Sequence, residues 1–548
     1  MEKLKPKLFS VMKTYTKQQF VKDVISGIIV AIIALPLSIA LALASGVSPE
    51  RGIYTAIVAG FIISFLGGSR VQIAGPTAAF ATIVAGIVAD KGMTGLAVAT
   101  IMAGILLILM GFFRVGSLIK FIPYTITTGF TAGIAVTLLI GQIKDFCGLT
   151  IVSEEPIIET MDKLTAAIRN IGTINWQAVA VGVASLAVLI LCQKFMPKIP
   201  GSLIAVLVGI AMVSGLNMNV NTIGDLYTIS NKIPTPEMPD ISWKLIQSEF
   251  RDALTIALLA AIESLLSAVV ADSMVNSKHR SNMELIAQGC GNIASALFGG
   301  IPATGAIART AANIKNGGRT PIAGMVHAVV LLLILVVLMP YAALIPMPTI
   351  AAILFQVAYN MCGIKKVIYL CKTSSKSDII VLMTTLVLTV VFDLVVAIEF
   401  GLILAVILFM KRMSEVTDVE GWRYIDDEED ADSLSLREVP KHTLVYEISG
   451  PLFFGVADKI MNIAFKEDDK CIVVRMRSVN TIDATAMHAL EELYDSCSKK
   501  KVQLVLSHVN AQPMSMIKKA GFFEKVGEEN FCSHIDDALA RAKQIAEA

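Results

Sequence analysis

Apolar runs long enough to cross a lipid bilayer recur through residues 24–410 of this 548-residue chain. A spanning helix needs about 20 predominantly apolar residues, and a backbone inside lipid must satisfy its own polar groups. After Lys411 the composition changes, and charged residues become dense. We therefore predict a large helical membrane domain followed by a soluble domain of ordinary size.

The composition agrees with this division. Hydrophobic residues make up 55% of the chain and charged residues 17%, and the mean hydropathy is +0.69. A typical soluble protein is about one-quarter charged. The formal net charge of +1 argues against nucleic-acid binding. The eight cysteines show no metal-ligand spacing, so we expect neither a disulfide framework nor a metal site.

Basic residues predict how the chain is oriented in the membrane. Residues 1–22 carry six lysines, and basic flanks stay on the cytoplasmic side. The later basic loops fall on the same side if the chain crosses about fourteen times, with the short segments after Gly75 and Thr304 counted as crossings. About twelve crossings, with those segments as re-entrant loops, is the alternative. The predicted divisions are a cytoplasmic N-terminal segment 1–22, a transmembrane domain 23–413, an acidic linker 414–440 and a cytoplasmic domain 441–548.

Residues 299–310 interrupt the apolar pattern with three glycines, a proline and an arginine. Backbone that is broken at membrane depth persists only where protein or a water-filled cavity satisfies its polar groups. After Pro302 and Gly305, the sequence predicts a short helix over residues 306–314. The start of such a helix offers unpaired N–H groups and a partial positive charge, which attract anions. We interpret this segment as half of a site for a small anion.

A counterpart lies at residues 72–80, where Gly75 and Pro76 precede a second predicted short helix. Pro76 suits a first helical turn because its missing N–H costs nothing there. Two interrupted segments in corresponding halves indicate a binding site at an inverted-repeat interface. For either break alone, close packing of helices through small residues is the alternative. The matched pair favours the binding site.

Glu263 lies inside the long apolar run of residues 253–271. An ionisable group within a membrane is expensive, so it is a functional hypothesis by default. Ser267 is four residues further on and faces the same side of the helix. The pair can bind Na⁺, or the carboxyl group can carry a proton; a structural hydrogen bond is the alternative. Arg309 can neutralise Glu263 or the bound anion, or it can anchor a helix end by reaching the interface.

From Lys441 onward, short strands alternate with amphipathic helices, as in a small α/β domain. The predicted strands cover residues 443–448, 471–476 and 502–507, and the predicted helices cover 486–499 and 535–548. The tail contains no GxGxxG motif, Walker motif, Ser-His-Asp arrangement or metal cluster in its sequence. We therefore expect a regulatory or interaction module rather than an enzyme.

Together these features resemble the SulP family of anion transporters over nearly the whole chain. The resemblance is carried by residues 74–80 (AGPTAAF), 261–266 (AIESLL), 307–313 (IARTAAN) and 142–146 (QIKDF). The tail resembles a STAS domain, because Asp483 and Thr485 lie where that fold has an Asp-x-Ser/Thr loop. The resemblance matches Thr485 to the phosphorylatable position of that loop, whereas we interpret Asp483 as an N-terminal helix cap.

The resemblance implies a polytopic, uracil-permease-like membrane fold of about 14 spans in a 7+7 inverted repeat. It also implies a core domain that moves against a gate domain, and a homodimer. Glu263 and Ser267 match the cation-coupling positions, so H⁺ or Na⁺ is the only cofactor expected. The anion would lie between the two short helices, in contact with Gly75, Pro76, Thr77, Ala78, Gly305, Ala306, Ile307 and Arg309.

Within the family, the amino-acid sequences of these segments are most similar to those of the bacterial dicarboxylate-uptake branch. Two positions depart from the common pattern: Ala308 replaces a serine before the arginine, and Leu37 replaces the glutamine of many sulfate permeases. Both departures remove polar contacts from the pocket. We expect proton-coupled uptake of a C4-dicarboxylate, or of sulfate, across the cytoplasmic membrane.

Two other functions stay open at this point. One is sodium-coupled bicarbonate uptake, and the other is an anion channel or sensor that signals through the STAS domain. The expected partners are a small inorganic or dicarboxylate anion, membrane lipid, a second copy of the chain and a cytoplasmic protein that binds the tail. No nucleic-acid partner and no enzymatic activity are expected.

Overall fold

The computed structural model describes residues 4–117, 123–152, 157, 159–196, 200–392, 394–422, 439–466 and 468–547. It divides into two compact units, Met1–Leu402 and Ile403–Ala548. The first unit contains most of the apolar helices, and the second contains a five-stranded sheet.

Long apolar helices and one two-residue strand make up the first half of the first unit. In chain order its elements are α1 (Lys7–Val11), α2 (Lys17–Ala44), α3 (Pro49–Leu66), β1 (Ala74–Gly75), α4 (Ala81–Phe112), α5 (Tyr124–Gly141), α6 (Ile143–Cys147), α7 (Thr160–Arg169), α8 (Trp176–Phe195), α9 (Gly201–Gly215) and α10 (Ile223–Leu226).

The second half repeats this plan, again with one short strand among helices. Its elements are α11 (Trp243–Val275), α12 (Ser281–Leu297), β2 (Thr304–Gly305), α13 (Ile307–Lys315), α14 (Ile322–Leu338), α15 (Met347–Cys362), α16 (Ile364–Thr373), α17 (Lys376–Val391) and the start of α18 (Leu394–Val416), which continues into the second unit.

Local sequence explains where several of these helices begin. The hydroxyl of Thr16 accepts a hydrogen bond from the backbone N–H of Gln19 and caps α2, and Ser242 caps α11 in the same way. Pro49 occupies the first turn of α3, where a missing N–H costs nothing. Within the described ranges, 8 helices are long and apolar enough to cross a membrane. The count of about fourteen spans stays a prediction.

The first break leads into a short helix, as does the second. A 3₁₀ turn over Ala78–Phe80 runs directly into α4. At Gly92 the backbone of α4 leaves the helical region, with φ 68° and ψ −169°, a conformation that favours glycine. The helix that follows the first break is therefore short, and a separate helix continues after Gly92. The second short helix, α13, begins and ends one residue later than the predicted 306–314.

Packing sorts the apolar helices into two groups. In one group, α12 packs against α4 and α3, α14 packs against α2 and α3, and α13 packs against α11 and α2. In the other, α5 packs against α17 and α15, while α8 packs against α9 and α15. Helix α2 also contacts α9 and α15, so it joins the groups. Both breaks belong to the first group, and its role as a core domain that carries the site stays a prediction.

The second unit is built on a sheet of order β3-β4-β5-β6-β7, in which β3 is antiparallel to β4 and the other neighbours are parallel. Its elements are β3 (Asp418–Trp422), β4 (Thr443–Ser449), α19 (Ala457–Met461), β5 (Cys471–Ser478), α20 (Ala484–Lys499), β6 (Gln503–Ser507), α21 (Ala511–Lys519), α22 (Phe522–Val526), β7 (Phe531–Cys532) and α23 (Ile535–Glu547).

Helices cover both faces of this sheet. Leu444, Ile472 and Leu504 point to the face that packs against α20 and α22. Val445 and Val473, one residue further along their strands, point to the opposite face and pack against α23. Parallel strands that are buried on both faces are typical of an α/β domain. The predicted strands and helices of the tail are all present, with bounds that differ by up to two residues.

The structure corrects one expected boundary. Residues 414–440 were predicted to be a linker, but α18 continues to Val416 and residues Asp418–Trp422 form β3. Because β3 pairs with β4, the sheet of the second unit begins before Lys441. The acidic run at 426–430 lies outside the described residues. Strand β3 is short and polar, which is why its sequence resembles a linker.

Candidate functional site

The two breaks meet in space. Strands β1 and β2 pair antiparallel, with Ala74 opposite Gly305 and Gly75 opposite Thr304. The backbone N–H of Ala306 also donates to the carbonyl of Ile73, at 2.9 Å. Each strand leads within a few residues into its short helix, so the starts of the two short helices lie close together. This is the geometry that the sequence predicts for an anion site between two helix N-termini.

Glycine allows the closest approaches at this junction. A Cβ at Gly75 would collide with the guanidinium of Arg309, and a Cβ at Gly305 would collide with the side chain of Gln72. Pro76, Ala78 and Ala306 are buried, and Ile307 is 46% exposed. The structure therefore brings all the predicted lining residues to one place, while their contact with an anion stays a prediction.

Arg309 carries a buried charge beside the first break. Its side chain is 1% exposed, so it does not reach an interface in the manner of a helix-end anchor. Nη2 donates to the hydroxyl of Ser38 at 3.2 Å and to the carbonyl of Pro76 at 3.3 Å. Neither Nε nor Nη1 has a partner among the described residues, and no ion pair with Glu263 occurs there. Donors that are left unsatisfied around a buried cation suit an anionic ligand.

Helix α11 contacts both breaks through three side chains on two successive turns. Glu263 accepts a hydrogen bond from the hydroxyl of Thr77 at 2.9 Å, at the start of the first short helix. Ser264 contacts the hydroxyl of Thr304 at 2.9 Å in the second break. Ser267 lies 3.5 Å from the hydroxyl of Thr310 in α13. The two predicted ion-coupling residues thus contact different short helices. Glu263 contacts the first short helix, and Ser267 contacts the second.

The described residues around Glu263 do not form a cluster of metal ligands. Among the residues that the structure describes, no group of three or more His, Cys, Asp or Glu side chains is gathered as metal ligands would be. Any cation at Glu263 would therefore rely on hydroxyl and backbone oxygens for its other contacts. Two hydroxyl groups lie next to Glu263. Ser264 is the next residue in the chain, and Thr77 donates a hydrogen bond to the carboxylate.

Glu284 is a fully buried carboxylate that sequence reasoning missed. It lies on α12 and accepts from the backbone N–H groups of Gly68 and Ser69 at 2.8 and 3.0 Å. It also accepts from the side-chain amides of Gln72 and Gln288 at 3.1 and 3.0 Å. Four donors on one carboxylate satisfy its negative charge. Glu284 therefore fixes the chain that leads into the first break.

Further along α12, Asn292 fixes the second break in a similar way. Its side-chain amide donates to the carbonyl of Ala303 at 2.9 Å and accepts from the N–H of the same residue at 2.8 Å. One turn later, Ser295 donates to the carbonyl of Ile301 at 2.7 Å. The spacing of Glu284, Gln288, Asn292 and Ser295 places them on one face of the helix. These polar residues, in a helix otherwise rich in small residues, are the sequence pattern from which their role in holding the two breaks could have been found.

The two tail residues lie in the second unit. Asp483 caps α20, since its Oδ1 accepts from the N–H of Ala486 at 2.8 Å. Its Oδ2 accepts from the N–H of Phe454 at 2.9 Å. Thr485 is exposed in the first turn of α20. The geometry gives Asp483 the capping role favoured from the sequence, and phosphorylation of Thr485 stays a prediction.

Comparison with known proteins agrees with this architecture. A family model for the sulfate permease family matches residues 20–385, and a STAS domain model matches residues 434–538. The Bacillus subtilis protein named "Putative sulfate transporter YvdB" is 40% identical over 530 residues, which is 96% of this chain and 98% of that protein. The bicarbonate transporter BicA of Picosynechococcus is 31% identical over 542 residues, covering 95% of this chain and 94% of its own.

The fold itself matches a solved anion transporter. The structure of murine Slc26a9 in its inward-facing state superposes with a TM-score of 0.87, covering 99% of this chain and 94% of that chain at 19% identity. At that identity the match shows the fold alone. The predicted helical membrane fold and the predicted STAS domain are thus both confirmed. The chain belongs to the sulfate permease family, and it is a multi-pass membrane anion transporter with a C-terminal STAS domain rather than an enzyme.

Proposed function

We propose that this chain is a secondary active transporter that takes up a small dianion together with H⁺ by alternating access. The anion is a C4-dicarboxylate or sulfate. One observation carries the proposal: the starts of the two short helices meet at the β1–β2 pair, beside the unsatisfied donors of Arg309. Two partial positive charges and one full positive charge converge on this place.

The choice of a dianion follows from this charge. A planar guanidinium with two donors that no described residue satisfies suits a carboxylate or a sulfate, both of which accept paired hydrogen bonds. The YvdB protein, which is similar to this chain over nearly its whole length, is named as a sulfate transporter. The absence of a serine at Ala308 and of a glutamine at Leu37 leaves the pocket less polar. A dicarboxylate with an apolar middle would use such a pocket better than sulfate would.

The proposed proton carrier is Glu263. Its carboxylate accepts a hydrogen bond from Thr77, which stands at the start of the first short helix. An ionised carboxylate at this place repels an incoming dianion, whereas a protonated carboxyl group does not. Binding of the anion therefore favours binding of the proton, which is the thermodynamic condition for symport.

Sodium-coupled bicarbonate uptake is the second candidate. BicA, which is named a bicarbonate transporter, is 31% identical to this chain over 95% of its length. Glu263, Ser264 and Thr304 supply a carboxylate and two hydroxyls, which are oxygen ligands. A monovalent anion with Na⁺ would then replace a dianion with H⁺.

Several features of the assembly belong to the same proposal. We infer a homodimer in the cytoplasmic membrane, with both termini on the cytoplasmic side, where the basic residues of 1–22 are favoured. The STAS domain would bind a cytoplasmic protein, and Thr485 would be the site at which phosphorylation changes that binding.

Uptake into proteoliposomes tests the proposal. Labelled succinate, sulfate and bicarbonate are each offered with and without an inward proton gradient, and then with and without Na⁺ at fixed pH. Gradient-driven accumulation of succinate or sulfate supports the first candidate, and Na⁺-driven accumulation of bicarbonate supports the second. Ionic current without accumulation of any of the three would indicate a channel and overturn both.

A further inference from the structure

The N-terminal segment presents a basic and apolar surface that the anion site does not use. Residues 4–22 contain five lysines and no carboxylate. Leu8 and Val11 of α1 are buried, whereas Phe9 of α1 and Met12, which directly follows α1, are 46% and 47% exposed. The exposed cations of this segment are Lys5, Lys13, Lys17 and Lys22. Cations beside exposed large apolar side chains are the composition of a segment that lies in a membrane interface.

Phe9 places this surface next to a membrane-spanning helix. Its ring makes an edge contact with the ring of Phe65, with the centroids 6.2 Å apart. Phe65 is in the last turn of α3 and is 39% exposed, and Phe61, one turn earlier, is 40% exposed. Large apolar side chains that a spanning helix leaves uncovered face acyl chains. Helix α1 therefore extends the acyl-facing side of α3 beyond the end of the span, where lipid headgroups lie.

Further positive charge surrounds α1. Burial lowers the pKa of Lys7, and the nearby cations Arg280 and Arg70 lower that pKa further. The Lys7 ammonium donates to the carbonyl of Lys278 at 2.7 Å. The Asp272 carboxylate raises the pKa of Lys7, but by less than either arginine lowers it. Cations gathered at the level of the headgroups select anionic lipids over neutral ones.

The same segment is tied to the backbone that leads into the first break. The N–H of Lys7 donates to the carbonyl of Gly67 at 2.8 Å. Arg280 donates to the carbonyl of Lys5 at 2.6 Å and to the hydroxyl of Ser10 at 3.0 Å. The N–H of Arg280 in turn donates to the carbonyl of Gly68 at 3.0 Å. Whatever holds α1 in place also holds the loop before β1 and the start of α12.

We propose that residues 4–17 are a docking surface for anionic phospholipid, with Phe9 and Met12 among the acyl chains and Lys5 and Lys13 at the headgroup phosphates. Bound lipid keeps the segment against Gly67 and so steadies the approach to the first break. The occupant is lipid because the apolar part of the surface is continuous with the acyl-facing side of α3, and because the charge of the segment complements an anionic leaflet.

Fluorescence quenching by brominated lipids tests this proposal on the full-length protein. Phe9→Trp is introduced together with Trp176→Phe, Trp243→Phe and Trp422→Phe, so that one indole reports. The protein is reconstituted in phosphatidylcholine that contains an equal fraction of dibrominated phosphatidylcholine or dibrominated phosphatidylglycerol. Both lipids quench the introduced tryptophan, and the anionic lipid quenches it more strongly.

Adding Lys5→Gln and Lys13→Gln should weaken the preference for the anionic lipid by about fivefold for each lysine, while quenching by phosphatidylcholine persists. The control Lys499→Gln with Lys543→Gln removes two exposed cations from the second unit and leaves the preference unchanged. Absence of quenching by either lipid would show that protein covers the segment. Equal quenching by both lipids would show an apolar contact without headgroup selection. Either result overturns the proposal, and neither depends on which anion is transported.

Discussion

Thr77 donates a 2.9 Å hydrogen bond to Glu263, although the two residues stand 186 positions apart in the chain. Thr77 is the N-cap residue of the turn that opens the first short helix. The proposed proton carrier therefore touches one end of the proposed anion site directly. Protonation changes Glu263 from an acceptor into a group that can also donate. Gain or loss of the proton therefore changes the hydrogen bonding at the proposed anion site.

Glu263→Gln should uncouple anion uptake from the proton gradient. Glutamine keeps the shape and an acceptor for Thr77 but cannot exchange a proton. We expect uptake to continue down the anion gradient and to lose its stimulation by an inward proton gradient, as measured in proteoliposomes.

The matched control is Asp252→Asn, which removes a partly exposed carboxylate from the same helix, α11. In this variant, an inward proton gradient should still stimulate anion uptake. Full stimulation in Glu263→Gln would contradict the assignment of the proton carrier.

Arg309→Lys should weaken anion binding although it keeps the charge. Lysine lacks the planar fork of donors that arginine offers to a carboxylate or sulfate. A charge-assisted hydrogen bond contributes about 1.5–3 kcal/mol, so losing one should raise KM by about tenfold or more. The measurement is the substrate dependence of uptake, together with the anion-induced rise in Tm of the purified protein.

Arg319→Lys provides the comparison, because Arg319 donates to the carbonyls of Ile314 and Gly318 near the other end of α13. It should leave KM unchanged. An equal rise of KM in both variants would mean that Arg309 acts only on the stability of the helix.

Gly75→Ala and Gly305→Ala should each impair transport, since their added methyl groups would displace Arg309 and Gln72. Gly141→Ala adds the same methyl group at a position with no heavy atom within 4 Å, and it should be neutral or slightly stabilising. Uptake rates and Tm of the three variants make the comparison. Normal transport by both break variants would mean that the β1–β2 junction tolerates rearrangement.

Glu284→Gln should destabilise the protein and impair uptake together. The new amide would point donor hydrogens at groups that are themselves donors, among Gly68, Ser69, Gln72 and Gln288. Buried groups left unsatisfied in this way cost about 1–3 kcal/mol each. The expected result is a clear fall in Tm with reduced uptake at saturating substrate.

Glu415→Gln, at an exposed carboxylate that pairs with Lys411 one helical turn away, should change neither quantity. An unchanged Tm in Glu284→Gln would show that the loop before the first break does not depend on this carboxylate.

Local sequence was sufficient for the breaks and their helices, because glycine, proline and apolar periodicity act over a few residues. The bounds of α13 differ from the prediction by a single residue at each end. The stop at Gly92 was not predicted, since one glycine in an apolar run is compatible with a continuous helix.

Long-range partners could not be predicted in the same way. The pairing of Ala74 with Gly305, and three of the four hydrogen bonds to Glu284, join segments more than 200 positions apart. Only the folded arrangement determines which polar groups meet. Glu284 was overlooked because it stands near the start of α12, where an acidic residue also suits a helix N-terminus.

The pairing of β1 with β2 has a mechanical consequence. Two short strands that share hydrogen bonds cannot slide apart without leaving backbone groups unsatisfied inside the membrane. In the proposed alternating access, the starts of both short helices would therefore move as a single body, and the bound anion would keep the same two helix starts beside it on both sides of the membrane. A covalent staple across Ala74 and Gly305 would leave turnover intact, because the parts that open and close lie elsewhere.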